Sequence, residues 1–472
     1  MSSLSTNTVS GSSSDDKTDL IDHFTNNEPT RKKFKSSLIT KNYTHASADD
    51  EIKFFQDLLR FRTVSSEGPV TGSYRECVAF LEEKCKSLGF KTLIKEFVKN
   101  KPCLIATRVG KEPNLPAILL NSHYDVVPAI MEYWNVAPFA AMIKDGKIWG
   151  RGTQDMKCVC AQYLLALERL SGVDLKRTIH LSFVPDEEIG GADGMGLLVK
   201  SDTFKDLGKI SVALDEGLAN EKDAYTVFYG ERAPLWILVN VEGPTGHGSR
   251  FIADTAISKL INLANKAFEF RKQQEESLGH TGGCSHCEAK KLGDVTTLNL
   301  TMLKAGVTGD GGKTWALNVI PTKAEAGFDI RVPPSVPCKS ISDMLDEWTK
   351  EVGMSWQYAP RIGTPITEHH VSSIDPKNPW WNLISTTFKN DFNTTLEPEI
   401  FPAGTDSRFL RESGVPAYGF SPMAKSPVLL HEHNEYIDID VFKKGIDVYE
   451  TLIGKLGSAG IFEGEVEERV NL

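Results

Sequence analysis

Apolar residues recur at helical spacing over residues 51–61, with Phe54, Leu58 and Leu59 on one face, which predicts an amphipathic helix. Residues 74–88 repeat the pattern and close at Gly89, a helix stop. The rhythm then alternates. Residues 115–121 (LPAILLN) form a short apolar run of the kind that makes a buried strand. Over residues 156–170, Val159, Tyr163, Ala166 and Leu170 share one helix face. Residues 177–184 (RTIHLSFV) and 210–214 are β-rich runs. Strands alternating with helices at this spacing predict an α/β fold with a mostly parallel central sheet. In such sheets ligands gather beyond the carboxyl ends of the strands.

From Gly230 the pattern changes. Strands are expected at residues 235–241, 295–303 and 323–331, with helices at 254–271 and 340–352 and a loop at 274–294. That order suits a smaller α+β insert of two layers with an antiparallel sheet. The α/β pattern resumes after Ile362. The expected organisation is a polar, disordered tail at 1–47, a main domain split into 48–229 and 363–472, and an insert at 230–362. No internal repeat is present.

Composition narrows the function. Of 472 residues, 40% are hydrophobic and 25% charged, which excludes fibrous and wholly disordered classes. No apolar run approaches the ~18 residues of a membrane-spanning helix. The net charge of −10, from 53 basic and 63 acidic residues, argues against a nucleic-acid partner held by a basic field. Eight scattered cysteines are no disulfide framework. The N-terminal stretch lacks the apolar centre of a signal peptide, so a cytoplasmic setting is expected. Without export, the glycosylation-like tripeptides at Asn42, Asn299 and Asn393 are chance matches. The run Arg31-Lys32-Lys33-Phe34-Lys35 reads as a solvated charge cluster or a nuclear address.

The chemistry sits after the expected strands. His123 and Asp125 follow the first, and a carboxylate near an imidazole ligand fixes its free nitrogen. Gly150-Arg151-Gly152-Thr153-Gln154-Asp155 is a tight loop that ends where a helix starts. Pro185-Asp186-Glu187-Glu188 stacks three carboxylates, which repel unless water or cations balance them. Leu214-Asp215-Glu216-Gly217 follows the next apolar run, and Leu429-Leu430-His431-Glu432-His433-Asn434-Glu435 lies near the chain's end. Singly, each has a plainer reading: a turn, a helix N-cap for Asp155, a solvated acidic bend. Together they suit two divalent metals sharing one carboxylate. Zn²⁺ fits hard oxygens with one imidazole each, and Co²⁺ or Mn²⁺ would also fit. Two adjacent glutamates allow one to bind metal while the other moves protons.

These residues carry a resemblance. The runs SHYDVVP, RGTQDMKC, RTIHLSFVPDEEIGG, ALDEG, TVFYGER, GHGSRF, NVIP, FDIRV, NPWW, LEPEI, TDSR and PVLLHEHNE resemble the co-catalytic dizinc amidohydrolase family that includes aminoacylases, carboxypeptidase G2 and carnosine dipeptidases. The similarity runs from about Asp49 to about Leu456 and is strongest to the aminoacylase branch. It implies that His123 and Glu216 hold one zinc, Glu188 and His431 the other, and that Asp155 bridges both. His431 is preferred to His433 because Glu435 completes the family's spacing. Asp125 would orient His123, and Glu187 would serve as general base and then acid. His247 would reach the substrate carbonyl from a partner subunit, which implies a homodimer joined through the insert. Asn318, Arg331 and Arg408 would contact the substrate carboxylate, a role that suits the two-pronged guanidinium.

The implied activity is hydrolysis of N-acyl-L-amino acids, chiefly N-acetylated ones, with no nucleic-acid or membrane partner. A dipeptidase of the same family and a catalytically silent binding protein are the rivals. Cys284-Ser285-His286-Cys287 reads as a loop without metal, Cys158 and Cys160 as packing residues, and His180 as a core histidine.

Overall fold

The computed structural model describes residues 47–278, 290–360 and 367–465. The expected tail, apart from Ser47, and the Cys284–Cys287 loop lie outside these residues. Ser47 opens the first helix, α1 (Ala48–Leu59), through a reciprocal cap: its hydroxyl accepts from the Asp50 N–H, and the Asp50 carboxylate accepts from the Ser47 N–H. The next helix is α2 (Ser73–Ser87). A hairpin follows, β1 (Lys91–Val98) and β2 (Lys101–Arg108), then β3 (Ala117–His123), α3 (Lys157–Arg169), β4 (Ile179–Val184), β5 (Ile210–Asp215) and β6 (Ala224–Glu231).

The smaller unit comprises β7 (Ala233–Glu242), α4 (Ala256–Glu276), β8 (Thr297–Ala305), β9 (Lys323–Val332), α5 (Cys338–Trp348) and β10 (Met354–Tyr358). The chain then returns with α6 (Pro379–Asp391), β11 (Thr395–Phe401), α7 (Ser407–Glu412), β12 (Ala417–Phe420) and α8 (Ile439–Ser458).

The large sheet runs β1-β2-β4-β3-β5-β12-β6-β11. Its centre, β4-β3-β5-β12, is parallel, as is the β6–β11 pair; the β1-β2-β4 edge and the β12–β6 pair are antiparallel. The expected mostly parallel sheet is therefore present. Every residue of β3, β4 and β5 is buried, which explains why these strands read as continuous apolar runs. One face is covered by α1, α2, α3, α6 and α8. The other is covered by a smaller cluster that includes Met195, Leu198 and Leu410.

Helix α3 is buried along nearly its whole length, with α8 packed over it. Gly445 of α8 permits that approach: a Cβ there would lie 2.0 Å from Gln162 Nε2, which donates to the Phe442 carbonyl. Cys158 and Cys160 are buried packing residues on this helix. In the smaller sheet, ordered β8-β9-β7-β10, all pairings are antiparallel and α4 and α5 close a separate core.

Several expected boundaries move. His123 is the last residue of β3 rather than the first beyond it. Helix α4 continues to Glu276, so the loop expected from Gln274 starts later; the run RKQQEE is rich in helix formers. Strand β6 continues to Glu231 within the large sheet. Among the described residues, no helix is long and apolar enough to cross a membrane.

His180 lies buried in β4. Its Nε2–H donates to the Leu207 carbonyl at 3.2 Å, which leaves Nδ1 to accept from the Thr107 hydroxyl at 2.8 Å. That arrangement requires the neutral ring, and burial pushes its pKa down to about 4. In the unfolded chain the same imidazole titrates near ~6.5. The unfolded state therefore binds the proton first as pH falls, and the fold loses roughly 3 kcal/mol between about pH 6.5 and 4. Urea unfolding across this window should show that loss in the wild type relative to His180→Leu. Parallel pH profiles would contradict it.

Candidate metal centre

Parallel pairing puts the carboxyl ends of β4, β3 and β5 side by side, with His123 opposite Val184 and Leu120 opposite Leu214. The chain leaving β4 turns at once through Glu187 and Glu188, and the chain leaving β5 delivers Glu216. The loop 150–156 brings Asp155 to the start of α3, where its peptide bond to Met156 is cis. Asp155 does not cap that helix: Met156 occupies the cap position, and no side chain caps it.

Instead, the two oxygens of Asp155 face two imidazoles. His123 Nε2 lies 3.1 Å from Asp155 Oδ1 and 3.3 Å from Glu216 Oε2. His431 Nε2 lies 3.1 Å from Asp155 Oδ2 and 2.8 Å from Glu188 Oε2. His433 faces away and packs on the Tyr133 ring at 5.0 Å. Glu187 stands beside the first set, its carboxylate 4.0 Å from His123 Nε2.

Supporting contacts fix this constellation. His123 Nδ1 lies 3.0 Å from the Asp125 carbonyl and 3.4 Å from its carboxylate, so the backbone does most of the orienting of the ring. The Asp125 carboxylate accepts instead from the Glu187 N–H at 3.2 Å, the Glu188 N–H at 3.3 Å and the Ser65 hydroxyl at 2.9 Å. Asp215 accepts from Asn121 at 3.0 Å and Ser407 at 2.7 Å, which ties β3 and α7 to the end of β5.

Glu435 is fully buried and knots the Asp155 loop. It accepts from Arg151 at 2.8 Å, from the Gly152 N–H at 3.0 Å and from the Gln154 N–H at 2.6 Å. The sequence used Glu435 only to choose between two histidines. Its positioning role spans hundreds of residues and leaves no local signal.

The electrostatics oppose this arrangement in the absence of a cation. Burial, then the Glu216 charge, holds the Glu187 carboxyl well above its ordinary range. Burial and the neighbouring Asp155 push Glu188 up to about 7, and burial raises Glu216 strongly. Burial would also raise Asp155, but hydrogen bonds from both imidazoles hold it well below the usual carboxylate range. Asp155 and Glu188 lift His431 to about 10; at His123, Glu216 and Asp155 overcome the opposite pull of burial.

A ring nitrogen directed at a carboxylate oxygen needs a proton or a cation between them. His123, Asp155 and Glu188, and His123, Glu187 and Glu216, each converge closely enough to surround an ion. Glu188 Oε1 is buried with no hydrogen-bond partner among the described residues. Imidazole nitrogens and carboxylate oxygens in this mixture suit a first-row divalent cation.

The remaining expected residues divide. Arg408 joins the centre: its guanidinium donates to the Gly190 carbonyl at 2.5 Å, on the turn that carries Glu187 and Glu188. His247, Asn318 and Arg331 do not; their contacts lie within the smaller unit. His247 is exposed on a two-residue ladder with Val319, its Nδ1 2.8 Å from the Ser249 hydroxyl. The Gly248 N–H donates to the Asn318 carbonyl at 2.7 Å. Arg331 is paired with Asp329 at 2.7 and 3.1 Å.

Comparison with known proteins fits this geometry. Residues 119–455 match the model of peptidase family M20/M25/M40. The chain belongs to that family. It is 47% identical over 413 residues to aminoacylase-1 of Dictyostelium discoideum, covering 86% of this chain and 98% of that protein. It is 43% identical over 412 residues to human aminoacylase-1, covering 86% and 95%. Among solved structures, a Bacillus subtilis protein described as a dinuclear metal binding peptidase of the M20 family superposes with a TM-score of 0.60. It has 15% identity, and the match covers 87% of this chain and 98% of that one. The two aminoacylase matches span nearly the whole of each relative, insert included.

The raised His431 and His123 groups hold protons at neutral pH when no metal is bound, and Glu188, pushed up to about 7, is about half protonated. A cation must displace them, so metal affinity should rise with pH. Adding Zn²⁺ to chelator-stripped protein at about pH 7 in weak buffer should release about two protons per chain from the two imidazoles, and more from Glu188 and Glu216. Binding without proton release would contradict this.

Proposed function

We propose that this M20-family chain is a zinc-dependent aminoacylase that hydrolyses N-acyl-L-amino acids, chiefly N-acetylated ones, to a carboxylate and a free amino acid. The observation that carries the reading is Asp155, shared between two imidazole–carboxylate sets, with the Glu187 carboxylate beside them, 4.0 Å from His123 Nε2. The near full-length identity to aminoacylase-1 relatives supports the substrate class.

In this reading His123 and Glu216 would hold one Zn²⁺ and Glu188 and His431 the other, with Asp155 shared between the two sets. Co²⁺ or Mn²⁺ would serve as substitutes. Two such cations would lower the pKa of a water and polarise the scissile carbonyl. Glu187 takes the proton of the attacking water as the new C–O bond forms. It then gives that proton to the amide nitrogen as the C–N bond breaks, so one carboxyl group serves both steps.

Asp125 keeps Glu187 and Glu188 in place through their backbone N–H groups. Arg408 stands at the same turn, where it would grip the substrate carboxylate together with Asn318 and Arg331. His247 would donate to the developing oxyanion. The resemblance has His247 reach the substrate from a second copy, so the reading includes a homodimer joined through the smaller unit; within one chain His247, Asn318 and Arg331 make their contacts inside that unit. Residues 48–229 with 363–472 would form the catalytic domain, and 230–362 the dimerising lid. We place the protein in the cytoplasm, with no nucleic-acid or membrane partner.

The test compares free amino acid released from N-acetyl-L-methionine and from the dipeptide Ala-Gly, with and without chelator. Release from the acetylated substrate alone, abolished by chelator and restored by Zn²⁺, is expected. Cleavage of the dipeptide alone would replace this reading with a dipeptidase using the same residues.

A further inference from the structure

Glu187 and Glu188 share a turn, but their side chains are anchored differently. Glu188 is held by His431 at 2.8 Å. Glu187 has no such anchor. Its one ion-pair contact among the described residues is His123 Nε2, 4.0 Å away. The position of Glu187 therefore depends on the backbone beneath it.

That backbone begins at Asp186, which is buried and has a positive φ of 64°. Asp is among the few side chains that adopt this conformation at moderate cost. Its carbonyl accepts from the Gly191 N–H at 2.7 Å, which closes the turn, and Gly190 and Gly191 supply two further positive-φ positions. Elements far away in the sequence hold the Asp186 carboxylate. The Tyr74 hydroxyl on α2 donates to Oδ1 at 2.8 Å, and Lys101 at the start of β2 pairs with Oδ2. Lys101 also bonds Asp193 at 2.6 Å, just past the turn, so one ammonium ties both ends of the loop. Tyr74 is itself fixed, packed edge-on against Tyr124 with centroids 5.0 Å apart and seated over Gly68, where a Cβ would overlap its ring.

We infer that Tyr74 and Lys101 are positioning residues for the reaction: through the Asp186 carboxylate they clamp the turn that sets the carboxyl group of Glu187. This rests on the proposed role of Glu187. It assigns function to residues that no metal contact would reveal. Asp125 holds the same turn separately, through the N–H groups of Glu187 and Glu188.

The experiment uses the full-length, zinc-loaded protein as Tyr74→Phe, Lys101→Met, Lys101→Arg and Glu187→Gln, with N-acetyl-L-methionine as substrate. Tyr74→Phe and Lys101→Met should each lower kcat about tenfold or more, with KM within about twofold and zinc content unchanged. Lys101→Arg, which keeps the cation, should recover most of the loss. Independently of turnover, hydrogen exchange at the amides of residues 187–191 should speed up about tenfold in the first two variants, with β3 and α3 protected as before.

Wild-type kcat and wild-type exchange in folded Tyr74→Phe would overturn the inference. So would a loss expressed through KM, zinc content or exchange across the whole molecule, because that would mark a merely structural role. If Lys101→Met does not fold, the single hydroxyl removed in Tyr74→Phe decides alone. Wild-type turnover in Glu187→Gln would instead overturn the reading beneath it.

Discussion

The centre depends on one buried carboxylate held between two imidazoles. Asp155 presents one oxygen to His123 and the other to His431, so two half-sites built from distant parts of the chain share a single atom group. Nothing in α/β packing favours this. Four carboxylates crowd into a volume from which water is largely excluded, and burial raises the cost of every charge. The fold offsets that cost with contacts behind the site. Glu435 satisfies Arg151 and the N–H groups of the Asp155 loop, Asp125 satisfies those of the Glu187–Glu188 turn, and Asn121 and Ser407 satisfy Asp215. A site that gathers like charges on rigid strand ends would be stabilised by a bound cation.

The division into two cores follows from the same logic. The large sheet supplies rigidity, with β3, β4 and β5 buried on both faces and α3 buried along its length. The smaller antiparallel unit has its own core and carries His247 exposed on a separate two-residue ladder. In the proposed reading, groups that bind metal are thus fixed before substrate arrives. In the proposed reading, groups that recognise substrate arrive on a separate body, which lets the site close over a small molecule and exclude water.

Much of this was legible in the sequence because burial writes strong local patterns. The central strands are continuous apolar runs, and the residues at their ends stand out by contrast: His123, Glu187, Glu188 and Glu216. The edge hairpin was not legible. Strand β1 (KTLIKEFV) is mostly exposed and mixes charges with apolar residues without clean alternation, so periodicity gives no strand signal. Glu435, Tyr74 and Lys101 were missed as positioning residues for a different reason. Tyr74 contacts Asp186 across 112 positions, and Glu435 contacts Gln154 across 281. Such pairings exist only once the sheet has formed. The resemblance names Asp125 as orienting His123, and the Asp125 carbonyl at 3.0 Å and carboxylate at 3.4 Å both face the ring; the hold of that carboxylate on the neighbouring turn left no sequence signal.

The most direct test of the account is the metal content of Asp155→Ala against wild type, measured by elemental analysis after zinc loading and gel filtration. A shared bridge predicts about two zinc ions per wild-type chain and fewer than about one in the variant, with circular dichroism unchanged. Retention of both ions in Asp155→Ala would contradict the shared carboxylate on which the account rests.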